Sequence, residues 1–64
     1  MSITVEEGRT ILLAAIDQEK ATGNPTKILE VGDQCIMDIH QDHQDMKINE
    51  ISDIIIPIVD ELNS

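Results

Sequence analysis

Apolar residues recur along this chain at three- and four-residue intervals, the period of an α-helix with one buried face, in three separate blocks. In the first block Val5, Gly8, Ile11, Leu12, Ala15 and Ile16 share one side at 100° per residue, while Glu6, Thr10, Asp17 and Ala21 take the other. Thr4 followed three positions later by Glu7 has the form of a capping box. Glu6 and Glu7 then occupy the first turn, where negative charge suits the helix dipole. Lys20 in the last turn and Gly23 just beyond mark the end, since glycine readily takes the left-handed conformation that closes many helices. Asn24-Pro25 supplies an N-cap and a first-turn proline for a second helix, expected from about residue 25 to about residue 43.

That second block puts Ile28, Gly32, Cys35, Ile36, Ile39 and His43 on one face, with Leu29 at its flank. Asp38 and Asp42 stand four apart, a like-charge pair that weakens this end by about a few tenths of a kcal/mol. A break is expected at residues 44–47, although no Gly or Pro marks it. In the third block, residues 48–62, Ile48, Ile51, Ile55, Ile58 and Leu62 keep strict three-four spacing. Ile54 and Val59 widen the stripe, and Asn49, Glu50, Asp53, Asp60 and Glu61 lie opposite. Pro57 opposes a helix, because an interior proline removes a backbone donor and clashes with the carbonyl four residues back, at a cost of roughly 3 kcal/mol. The run over residues 53–59 is rich enough in β-branched residues to form a strand instead. A helix kinked at Pro57 is nevertheless expected: Pro57 projects to the polar side, the freed carbonyl of Asp53 faces water, and no second β-like run offers a strand partner.

The expected fold is therefore all-α, a single small domain over residues 1–64 in which three amphipathic helices enclose an aliphatic core dominated by twelve isoleucines. A chain of this length buries only roughly 60% of the surface it exposes when unfolded, so its stability is marginal. Cys35 is the single cysteine, which excludes an intrachain disulfide as the staple. A second copy is the natural supplement. Leu13, Met37 and Ile56 fall outside the three core stripes, one per helix, and together with Ile55 they form the expected homo-oligomer interface.

Charge narrows the function. Thirteen acidic residues face four Lys and Arg, a formal net charge of -9. The excess is concentrated after residue 32, where eight acids accompany Lys47 alone. Direct nucleic-acid binding is disfavoured, since phosphate neutralisation needs clustered cations and single-strand binding needs stacking platforms, and the chain has no Phe, Tyr or Trp. Anionic membrane surfaces are disfavoured on the same electrostatic ground. Glu6 and Glu7 stand where a signal peptide carries positive charge, and no apolar run reaches membrane-spanning length, so a cytoplasmic protein is expected.

The densest polar cluster, residues 38–45, holds both histidines and three carboxylates, all eligible ligands for zinc or nickel. His40 and His43 can share a helix face, but Asp38 and Asp42 point away from it. Cys35 is about 12 Å from His43 along the axis at 1.5 Å per residue. No metal and no cofactor is therefore expected, with a site on His40 and His43 as an alternative. Catalysis is not expected either, because no nucleophile stands in an elbow or glycine-rich turn, and Cys35 on the apolar side reads as a small buried hydrophobe. What remains is a non-catalytic interaction or regulatory module. Asp38, Asp42, Asp45, Glu50, Asp53, Asp60 and Glu61 lie outside the core stripes and are the expected contact to a basic protein partner. The alternative is a nucleic-acid mimic that inhibits a basic nucleic-acid-binding protein.

Overall fold

The computed structural model describes residues 2–23 and 27–64, with three helices in the order α1 Val5–Ala21, α2 Ile28–Asp42 and α3 Ile48–Asn63. No strand occurs among the described residues, so the chain is all-α. The first helix starts where its side chains can satisfy its own free amides. Glu7 N–H donates to Thr4 Oγ1 and Thr4 N–H to Glu7 Oε1, both at 3.1 Å, which completes the capping box. It ends as Gly23 turns to φ 79°, with its N–H donating to the Lys20 carbonyl at 3.1 Å.

The second helix has Lys27 as its N-cap, without a side-chain cap. The expected cap at Asn24-Pro25 lies outside the described residues. At the other end His43 N–H donates to the Ile39 carbonyl at 2.8 Å and Met46 N–H to the His43 carbonyl at 3.0 Å, a tight turn at the expected break. Met46 is buried there and pins the connection to the core. Glu50 Oε1 then accepts from Lys47 N–H at 3.4 Å, half of a capping box, since a lysine side chain has no acceptor to return the bond.

The third helix runs unbroken past Pro57. Pro57 and Asp53 are both exposed, so the carbonyl that lacks its usual donor is on the watered side of the bundle. The helical period therefore prevails over β propensity, because Ile51, Ile55, Ile58 and Val59 are buried together only in that register.

One core draws on all three helices: Leu12 and Ile16 from α1, Val31, Cys35, Ile36 and Ile39 from α2, and the four buried residues of α3. The Cα radius of gyration, 11.3 Å, is close to the roughly 10.7 Å expected of a compact chain this long. Two glycines set the helix spacing. A Cβ on Gly8 would stand 2.9 Å from Ile54 Cγ2, and one on Gly32 only 2.6 Å from Val59 Cγ2, so α1 and α2 each approach α3 where they have no side chain.

Several expected core positions are corrected. Val5 and Ile48, the first residues of α1 and α3, are exposed, as is Ile11 inside α1; Leu29, expected at the flank of its face, is exposed too. Ile3 and Met46, outside any helix, are buried in their place. Ile55 was expected to serve an oligomer contact as well as the core, yet it is fully enclosed by its own chain and presents no surface. Ile56 was expected on the outside and is instead half-buried, packed against the core's edge.

Candidate functional site

Each of the seven carboxylates named from the sequence is exposed. Their surroundings differ. Asp38 Oδ1 accepts from Gln34 Nε2 at 3.1 Å, one turn back on α2. Glu50 is engaged at the start of α3. Glu61 Oε2 pairs with Arg9 Nη2 at 2.7 Å, which ties α3 to α1 across 52 positions of sequence and removes Glu61 from the unopposed set. Asp42, Asp53 and Asp60 carry no ion pair among the described residues. Asp53 and Asp60 are seven residues apart, hence on one face and about 10 Å apart along the axis, on the side away from the core.

The histidines behave differently from the acids. Both are half-buried, and His40 Nδ1 is enclosed with no hydrogen-bond partner. Among the described residues no group of three His, Cys, Asp or Glu is placed to hold a metal ion. An ion on His40 and His43 would take its remaining ligands from elsewhere.

A feature the sequence did not disclose is an open groove of about 310 Å³ between α1 and α2. Ala15, Val31 and Cys35 form its apolar part; Glu19, Glu30 and Asp38 stand around it with Lys27 at one end. Small side chains create it: α3 is met closely by both other helices at Gly8 and Gly32, whereas α1 faces α2 here through Ala15. Cys35 is buried and free. Burial first, and then the Asp38 carboxylate, push its thiol above the ordinary value, so at neutral pH it is protonated and a poor nucleophile.

No protein-family model, no curated protein and no solved structure matches this chain. No described helix is long and apolar enough to cross a membrane.

Proposed function

We propose that this protein is a non-catalytic interaction module whose acidic surface, spread over α2 and α3, engages a basic protein partner. The observation that carries the reading is the exposure of all seven carboxylates, of which Asp42, Asp53 and Asp60 have no counter-charge among the described residues. An unopposed negative field steers encounter with a cationic patch and selects against anionic partners. Such binding weakens with salt, as the Debye length falls from about 10 Å at 0.1 M to about 3 Å at 1 M. The test is an affinity capture from the source cell at low and at high salt, with Asp53→Asn/Asp60→Asn as the paired bait. A partner captured at low salt, released at high salt and weakened by the double variant supports the reading. Capture that is indifferent to salt and to the variant refutes it. A nucleic-acid-binding protein displaced from its substrate would mark the module as a mimic.

A second reading is homo-oligomerisation, favoured by the exposure of Leu13 (42%) and Met37 (55%), which leaves large apolar surface on two helices of a marginal bundle. Sedimentation at increasing concentration tests it. A monomer throughout removes it, and Leu13→Asp or Met37→Asp should weaken association while leaving the helical signal intact.

A further inference from the structure

We infer that the groove between α1 and α2 is the docking site for a Lys or Arg side chain carried by a basic peptide segment of a protein partner. The inference rests on the proposed basic partner and says where its decisive contact is made.

Gly8 and Gly32 bring α1 and α2 close to α3, whereas α1 meets α2 along this groove through the small Ala15, so the groove is built by residue choice. Ala15 stands where a larger aliphatic would fill it, and the groove's volume, about 310 Å³, is at the small end of ligand sites, room for one or two side chains. Its chemistry is two-part. Val31 and Cys35 give an apolar floor, 9% and 2% exposed, while three carboxylates stand against the single ammonium of Lys27 around it. A long basic side chain has the matching halves: an aliphatic stem that gains by leaving water and a charged head that stays at the polar edge. Gln34 holds one oxygen of Asp38 at 3.1 Å and leaves the other to accept from a guanidinium or ammonium. A second copy of the chain is a poor occupant, since it brings a net charge of -9 to a negative rim.

The probe is a hexa-arginine peptide titrated at low salt into the full, isotope-labelled chain and followed by amide chemical shifts. Shifts concentrated at Ala15, Gln18, Val31 and Gln34 are expected. Glu30→Gln/Asp38→Asn should weaken binding by at least about tenfold, whereas Asp53→Asn/Asp60→Asn, which removes equal charge from the steering field on α3 but none from the groove, should weaken it by only about two- to threefold. Ala15→Met, which fills the groove without altering charge, should weaken binding like the first pair, with circular dichroism confirming the fold. Equal losses from the two charge pairs, undiminished binding by Ala15→Met, or shifts centred on α3 would overturn the groove while leaving the basic partner standing. Spermine binding as tightly with the same shifts would overturn the peptide as occupant. No binding at low salt would overturn the groove and the basic-partner reading together.

Discussion

Gly32→Ala tests the packing that sets the spacing between α2 and α3. The new Cβ would lie 2.6 Å from Val59 Cγ2 and 3.7 Å from Ile55 Cγ2. Carbon atoms rest at about 3.5–4.0 Å, so one side of the contact must retreat by about 1 Å. Val59 cannot do so cheaply: it is 1% exposed, and a β-branched residue in a helix has one strongly preferred rotamer. Against this, alanine is favoured over glycine in a helix interior by about 1 kcal/mol, while overpacking a filled core costs about 1–3 kcal/mol. The clash should win, with a net loss of about 1 kcal/mol, which for a domain this small lowers Tm by about 4–8 °C. Thermal unfolding followed by far-ultraviolet circular dichroism at fixed protein concentration measures it. Melting at or above the parent temperature refutes the reasoning. Adding Val59→Ala should recover part of the loss from Gly32→Ala, and strict additivity of the two would place the cost somewhere other than this contact. Gly8→Ala is the milder companion, since its 2.9 Å neighbour, Ile54, is only half-buried and has room to yield.

At Gly23 the constraint is conformational: φ is 79° and nothing lies within 4 Å, so Gly23→Ala should cost about 1 kcal/mol and Gly23→Asn less, read from the same melting curves. The raised Cys35 thiol means that the folded state keeps this proton to higher pH than the unfolded chain does. The stability it contributes is therefore complete below the thiol's ordinary value and is lost as pH rises through the raised one; denaturant titrations should show the difference between parent and Cys35→Ala shrinking across that alkaline window, and a flat difference would contradict the burial argument. Arg9 and Glu61 pair at 2.7 Å, but their side chains are 41% and 59% exposed, so Glu61→Gln should lower stability by less than about 1 kcal/mol and by nothing measurable in high salt.

The first helix was legible because its signals are local. Thr4 and Glu7 are three residues apart and their hydrogen bonds follow from that spacing alone, and Gly23 takes the left-handed turn for which only its missing Cβ was needed. The stripe of α3 was legible because Ile51, Ile55, Ile58 and Val59 repeat at the helical period, and Pro57 fell on the polar side of it. Burial outside helices was not legible. Ile3 and Met46 belong to no periodic block, and their burial depends on where the chain enters and leaves the bundle. Nor could a helical wheel bring Ile56 halfway in, since that depends on the position of the neighbouring helices. The acids were placed correctly as exposed, but the Arg9–Glu61 pair and the groove join residues from different helices, and helical spacing carries no information about either.

The fold itself gives no reason for Asp53 and Asp60 to be acidic. Each is exposed, neither has an ion pair among the described residues, and Asn at both positions would relieve repulsion in a chain carrying a net charge of -9. Two explanations remain for keeping them, solubility and a basic partner, and they differ in what they require: solubility needs the total charge, whereas a partner needs the charge in its place. Moving it separates them. Asp53→Asn and Asp60→Asn combined with Ser2→Asp and Ala14→Glu, both at exposed sites, preserve the net charge while shifting two carboxylates toward the N-terminal part of the chain. The relocated variant should remain as soluble as the parent and melt within about 0.5 kcal/mol of it, the usual range for surface changes. If a salt-sensitive partner captured by the parent is held as well by the relocated chain, position does not matter and the carboxylates act only as a solubilising charge. If capture falls while solubility stays, the acids of α3 are placed for recognition.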